Sequence, residues 1–302
     1  MTNSLMTLSE HLASAVEQAG RSVVAIHART RFNSSGVHWS PGIIVTAEHT
    51  IQKDDDIRVS AGDGSSHSAE LIGRDPSTDL AVLRVNGLNI PVAAKSQGSD
   101  LKTGQIILAV GRFKDSVSAA FGVLSSVSGP AQTWRGGRLD QVVRLDIGLQ
   151  AGAAGCAIVD ADGKLIGVAT PALSRAAVFS IPVATIERVT AQLLAHGRIP
   201  RGYLGVGLQP IPIPEHLKSK LNLQSSSGLI AVSVDADAPA GQAGILIGDI
   251  LLDLAGRPMH RPENVQEVLD GESIGKAMRA RILRAGNIMN VEITAGERPA
   301  RR

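Results

Sequence analysis

Across residues 22–110 the apolar residues come in short runs separated by Gly, Asp, Ser or Pro: 22–27, 42–46, 57–60, 69–72, 80–85 and 105–110. Runs of this length, rich in Val and Ile, predict β-strands, and no helix-length segment lies between them to support a βαβ arrangement. A second set follows at 116–128, 139–146, 157–159, 164–169 and 177–181. Two sets of short strands predict a mainly β barrel or sandwich architecture.

The helical period is confined to a few places. Ser9 is placed to cap a short helix in which Leu12, Val16 and Ala19 recur on one face and Gly20 ends the run; it is expected to pack on the β domain or on a neighbouring subunit. Pro182 opens a second helix with Val183, Ile186, Val189, Leu193 and Leu194 on the inner face and Gly197 beyond its end. Residues 196–202 then read as a linker, short enough to restrict a second domain beyond it. Past residue 202 the pattern alternates: strands at 204–209, 228–234, 249–254, 278–283 and 288–294, helices at 214–222 and 262–270, and a helical turn at 239–244.

Composition narrows this picture only in part. A chain of 302 residues accommodates two domains, each with its own core. Aromatics make up 2% of it, so those cores are built from Val, Ile, Leu and Ala. A formal net charge of +2 gives no ground for a nucleic-acid partner, and the basic end 297–302 reads as a solvated tail. With Cys156 alone there is no intrachain disulfide, and cysteine usage leaves the redox compartment undetermined. The first ten residues lack a basic-then-apolar export signal and no run of 18 apolar residues occurs, so neither export nor membrane insertion is expected. As written this predicts a cytoplasmic protein, or a periplasmic one if a signal has been removed.

The chemistry gathers around residues 145–169. Gly152, Ala153, Ala154 and Gly155 form a loop of small residues from which backbone N–H groups can project, as a developing oxyanion requires. Upstream stand Ile44-Val-Thr-Ala-Glu-His49-Thr-Ile and Asp75-Pro-Ser-Thr-Asp79-Leu-Ala-Val-Leu; downstream stand Arg201-Gly-Tyr-Leu-Gly-Val206 and Pro239-Ala-Gly-Gln-Ala-Gly244. In this order the segments resemble those of the HtrA, DegP-like, trypsin-fold serine proteases, from about residue 12 to about residue 294. The resemblance implies a trypsin-like double β-barrel followed by a small α+β PDZ domain. Its divisions would be a helical segment 1–21, a protease domain 22–197, a linker 198–202, a PDZ domain 203–296 and the tail 297–302.

The same resemblance implies roles. His49 would be the base and Asp79 its orienting partner, while the nucleophile's place is taken by Ala154, which has no hydroxyl to attack with. The oxyanion hole would use the backbone N–H groups of Gly152 and Ala154 and so does not depend on a serine. Ala153, Cys156 and Ala157 stand where the family usually has Asn, Gly and Pro. Cys156 lies two residues past the nucleophile position and is expected to be a buried small residue, not a substitute nucleophile. Tyr203, Leu204, Gly205 and Val206 would capture a peptide's C-terminal carboxylate, the peptide adding as a strand beside the helix that carries Val265 and Leu269. No cofactor is implied. His27, His38, His67, His196, His216 and His260 lack metal-ligand spacing, and Asp54–Asp56 lacks the remainder of a calcium loop.

Two functions remain open on the residues alone. One is a natural pseudoprotease that binds unfolded proteins or peptide C-termini as a chaperone or scaffold. The other is an ATP-independent serine endopeptidase of protein quality control, written here with a serine-to-alanine change at 154. The resemblance also implies a homotrimer built with the N-terminal segment, with a monomer as the alternative, because that segment offers Leu5, Met6, Leu8 and Leu12 but no aromatic residue.

Overall fold

The computed structural model describes residues 4–29, 32–96, 101–113, 116–150, 152–174, 176–269 and 273–297. These fall into two compact units, Met1–Ile199 and Pro200–Arg302. The first unit begins with helix α1 (Ser4–Gly20) and continues through β1 (Val23–His27), β2 (Ser34–Ser40), β3 (Ile43–Ala47), a 3₁₀ turn (Glu48–Thr50), β4 (Ile57–Ser60), β5 (Ser66–Asp75) and β6 (Leu80–Val85). These six strands close a barrel in the order β1-β2-β3-β6-β5-β4. A second closed barrel, β11-β14-β13-β12-β7-β8, is built from β7 (Ile106–Phe113), β8 (Ser116–Ser128), β11 (Val142–Asp146), β12 (Ala157–Val159), β13 (Leu165–Thr170) and β14 (Val178–Pro182). Between β8 and β11 stands a two-stranded ribbon, β9 (Ala131–Gln132) with β10 (Arg138–Leu139).

The near-continuous apolar runs have a simple cause. Successive side chains on a strand point to opposite faces, and in strands such as β3 and β6, where the two barrels pack together, both faces are buried. In β3, Ile44 points into the first barrel's core while Ile43 and Val45 join a shared cluster; in β6, Ala81 and Leu83 point inward while Leu80 and Val82 join that cluster. From the second barrel, Leu108, Val110, Ala157 and Val159 enter the same cluster, whereas Ile107, Ala109, Leu124 and Ile158 fill their own barrel. At about 1.5–3 kcal/mol for each large apolar side chain buried, this shared cluster is a main reason the two barrels form one unit.

The structure corrects the sequence reading in several places. Strand 105–110, grouped with the first set, is β7 and belongs to the second barrel, paired with β8 from Ile106↔Val123 to Phe113↔Ser116. Strand β2 was not foreseen: Ser34, Ser35 and His38 are buried in it, so its polarity hides its burial. The run 139–146 is split into β10 and β11 because the Asp140 amide donates to Thr185 Oγ1 (2.9 Å). Ser9 does not cap α1 but lies inside it, since the helix already begins at Ser4. Helix α1 rests on its own unit through Ala15 and Ala19, with Leu12 and Val16 partly buried.

Helix α2 (Val183–His196) buries Ile186, Val189 and Leu193, and ends as predicted, with Gly197 left-handed and its N–H donating to Leu193 O (2.8 Å). Leu194, expected on the inner face, is 40% exposed because the next position lies a hundred degrees round the helix from Leu193. The second unit holds β15 (Gly202–Tyr203), β16 (Val206–Pro212), α3 (Glu215–Lys220), β17 (Ser227–Val234), α4 (Pro239–Gln242), β18 (Ile250–Leu254), β19 (Arg257–Pro258), α5 (Pro262–Val268), β20 (Ala277–Arg284), β21 (Asn287–Thr294) and β22 (Gly296–Glu297). Its sheet runs β16-β17-β18-β20-β21, so β16 is an open edge. Gly202, read as linker, and Glu297, read as tail, pair with each other as part of the β15–β22 ladder. Asp270, read as the end of a helix, and the tail beyond Glu297 lie outside the described residues.

Candidate functional site

His49 sits in the 3₁₀ turn that follows β3, and Asp79 just before β6, which pairs with β3 in register Ala47↔Leu80. That register brings the two together. Asp79 takes a left-handed backbone (φ 60°), unusual for a residue with a side chain, and its carbonyl accepts the Glu48 amide (3.0 Å). Its carboxylate is fully buried and receives the His49 amide on Oδ1 (2.9 Å) and the His49 ring Nδ1 at 2.8 Å from Oδ2 and 3.0 Å from Oδ1. The Thr170 hydroxyl, from the end of β13, donates to Asp79 Oδ2 as well. A carboxylate on Nδ1 fixes the tautomer that leaves Nε2 as the acceptor, and Nε2 has no partner among the described residues.

Beside this pair lies an ionic cluster. Arg74 Nη1 reaches Glu48 Oε1 (3.4 Å) and Ile51 O (3.3 Å), and its Nη2 bonds Asp54, so one guanidinium binds both sides of the turn. Burial pushes the Glu48 carboxyl above its ordinary range against the opposing pull of Arg74. Thr170, Glu48 and Arg74 were not singled out from the sequence. Only pairing across the barrel brings them to His49.

The loop at 152–156 has its hydrogen bonds almost fully assigned. Gly152 O accepts from Ser35 Oγ (3.0 Å), Ala153 O from the Cys156 amide (2.9 Å) and Ala154 O from the Ser35 amide (3.0 Å). The Ala153 amide donates to Gln150 O (3.1 Å) and the Gly155 amide to Ala169 O (3.0 Å). Among the described residues of this loop, two amides donate nothing: those of Gly152 and Ala154. The Gly155–Ala169 bond ties the loop to the residue preceding Thr170, and hence to Asp79. Gly155 (φ 80°) has no room for a side chain, since a Cβ would lie 2.3 Å from Ser35 O and 2.4 Å from Thr46 Oγ1. Cys156 is buried, and burial pushes its thiol up to about 12, as expected of a packed residue and not of a nucleophile.

In the second unit, Tyr203 pairs with Gly296, Leu204 is buried, and Gly205 takes a left-handed backbone (φ 73°) with Ala238 where its Cβ would be. Leu204 O accepts the Ala240 amide (2.8 Å) and Gly205 O the Asp235 amide (2.9 Å). The amides of Leu204 and Gly205 donate nothing among the described residues. Val206 begins the edge strand β16, and Val206 and Leu208 pack in one cluster with Val265 of α5 and Leu269 beyond it. All six residues expected to meet a peptide thus lie around one edge of the sheet. No group of acidic, histidine and cysteine side chains suited to a metal occurs among the described residues, and no helix there is long and apolar enough to cross a membrane.

Comparisons with known proteins agree with this architecture. The trypsin-like peptidase domain matches residues 34–168 and the PDZ domain residues 202–295. A relative from Halomonas elongata, described as "Probable periplasmic serine endoprotease DegP-like", is 30% identical over 277 residues, 90% of this chain and 57% of the relative. One of the same description from Pseudomonas putida is 28% identical, covering 86% of this chain and 54% of the relative. The chain therefore spans a little over half the length of these curated relatives. Among solved structures, HtrA-type protease AlgW with a decapeptide superimposes with a TM-score of 0.78 at 25% identity over 96% of this chain and 99% of that one. The serine endoprotease from Yersinia pestis gives 0.78 at 28% identity over 95% and 98%. The expected cytoplasmic location is overturned by these relatives, which are described as periplasmic. An export signal is removed from the mature protein, so its absence from a sequence carries no argument about compartment. By sequence, domain order and fold, the chain is a homologue of the HtrA-type, DegP-like, trypsin-like serine proteases that carry a PDZ domain.

Proposed function

We propose that this chain binds extended or unfolded polypeptide in the protease-like unit and peptide C-termini in the PDZ unit, without forming an acyl-enzyme, as a periplasmic pseudoprotease of chaperone or scaffold type. The observation that carries the reading is Ala154: the loop keeps two spare N–H donors at 152 and 154, while position 154 offers no atom to attack a carbonyl. In this reading the Gly152 and Ala154 amides hold a backbone carbonyl of the bound chain. The Leu204 and Gly205 amides take a terminal carboxylate, and the peptide extends β16 against Val265 and Leu269. That the similar HtrA-type protease AlgW is solved with a decapeptide supports peptide binding as such. The test is a titration of the unmodified chain with a fluorescent unfolded protein. Saturable binding with no cleavage over a day is expected; no binding would remove the reading.

A second reading is favoured by the His49–Asp79–Thr170 network, which is complete for base catalysis although no nucleophile is present. With serine at 154, His49 Nε2 would take the hydroxyl proton as Oγ attacks the carbonyl, Asp79 would hold the imidazolium, and the two free amides would receive the oxyanion. Ala154→Ser should then cleave casein-like substrates; an inert Ala154→Ser protein, correctly folded, leaves the binding reading alone. For assembly we propose a homotrimer, supported by Leu5, Met6 and Leu8 of α1, which are 76%, 61% and 43% exposed. Light scattering showing a mass near the 31.4 kDa chain would replace it by a monomer.

A further inference from the structure

Ser35, a buried residue of the unforeseen strand β2, grips the 152–156 loop at two points. Its amide donates to Ala154 O (3.0 Å) and its hydroxyl to Gly152 O (3.0 Å). The hydroxyl has one hydrogen and two acceptors within range, Gly152 O at 3.0 Å and Arg112 O at 3.4 Å, and the shorter contact is the better bond. Its lone pair is occupied from the other side, because the Arg112 amide donates to Ser35 Oγ (3.0 Å). The hydroxyl is thus polarised toward the loop and held there.

We propose that Ser35 is the positioning residue of the oxyanion-accepting loop: by holding the carbonyls of Gly152 and Ala154 it turns the peptide planes on either side, so that the Gly152 and Ala154 amides stay free for a ligand. The inference rests on the reading of this loop as part of the peptide site. The surroundings are built for this hydroxyl. Gly111 of β7 leaves it room, since a Cβ there would lie 2.9 Å from Ser35 Oγ, and Gly155 lets the loop approach Ser35 O. The Arg112 that orients Ser35 also donates through Nε to Val23 O (2.9 Å) and through Nη2 to Gly20 O (3.0 Å), the last residue of α1. One residue therefore connects the docking of the N-terminal helix to the hydroxyl that holds the loop.

The test uses the full chain with Ser35→Ala and, as a second variant that keeps Ser35, Gly111→Ala, whose methyl would lie 2.9 Å from Ser35 Oγ and crowd the hydroxyl off Gly152 O; because it would also lie 3.3 Å from Cys156 Cβ, Gly155 is the diagnostic amide in that variant. In both, amide exchange at Gly155 and Cys156 should rise roughly fivefold, the effect of losing one ordinary hydrogen bond, and the ¹H–¹⁵N signals of Gly152 and Ala154 should move while those of the second unit stay in place. In an Ala154→Ser background that cleaves substrate, Ser35→Ala should lower kcat roughly 100-fold with KM within twofold, as removal of one oxyanion donor does. Unchanged loop exchange in Ser35→Ala, or exchange raised evenly across the first unit in both variants, would overturn the proposal. If Ala154→Ser is inert yet the loop signals respond, the positioning role stands and the protease reading falls.

Discussion

The loops at 152–156 and 203–206 present the same chemistry, a pair of backbone amides without acceptors among the described residues, but reach it by different means. In the first, the carbonyls of residues 152–154 are all taken, two of them by Ser35, and the loop is anchored to a closed barrel that has no free strand edge. In the second, one left-handed glycine turns the chain between a two-residue ladder and the open strand β16. A closed barrel can hold a peptide only by what its loops and side chains present, whereas an open edge offers a whole strand of hydrogen bonds. Alanine at 154, where the family resemblance places a serine, therefore leaves the first site its donors but gives it no hydroxyl.

The comparison is tested most strongly at the buried Asp79. In an active Ala154→Ser protein, Asp79→Asn should lower kcat by about four orders of magnitude, the effect of the wrong imidazole tautomer; steady-state cleavage measures it, and a loss under tenfold would remove Asp79 from its assigned role. Next are the glycines. Gly155→Ala should destabilise the first unit by on the order of 3 kcal/mol or more, adding left-handed strain to overlap with Ser35 O and Thr46 Oγ1. Gly205→Ala should cost about 2 kcal/mol, because only one atom, the Ala238 Cβ, stands closer than 3.0 Å to the new methyl where Gly155 has two. Urea unfolding followed by a probe in each unit ranks the two, and the reverse order would mean that the second loop is the more rigidly held.

Asp249 is the second unit's counterpart to Asp79, a buried carboxylate bonded by an arginine in place of an imidazole. Burial raises it, but Arg284 through Oδ1 and Oδ2 (both 2.7 Å), with the Leu246 amide, brings it below its ordinary range. A lowered folded value contributes stability above the unfolded pKa of about 3.9, and that contribution is lost as pH falls through the folded value. Asp249→Asn should cost roughly 2 kcal/mol at pH 7, with the difference from the unmodified chain vanishing in strong acid; a difference independent of pH would contradict this. The smallest effect expected is on the ligand: amidating a peptide's C-terminus should weaken binding to the second unit about tenfold, near 1.4 kcal/mol, by calorimetry. Equal affinities would show that the Leu204 and Gly205 amides do not read a carboxylate.

Much of the fold was legible because the barrels repeat a simple pattern. Short Val- and Ile-rich runs, the Gly197 stop and the Pro182 start each acted locally, and the structure has strands or helix ends there. Strand β2 was not legible, since Ser34, Ser35, Gly36 and His38 read as a polar loop until partners on both sides bury them. The allocation of β7 to the second barrel was equally hidden, because adjacency in sequence does not say which sheet a strand closes.

The sequence by itself determined the chemical inventory: an imidazole and a carboxylate in order, small residues around 154, no hydroxyl at 154, and a glycine at 205. These follow from residue type, and no packing could supply a missing nucleophile. The tertiary structure decided what surrounds them. Thr170 on Asp79, Arg74 on Glu48 and Ser35 on the loop are contacts between residues 91, 26 and more than 100 positions apart, respectively. Such contacts are fixed by strand register across closed barrels, which depends on every side chain that fills them and not on any local signal.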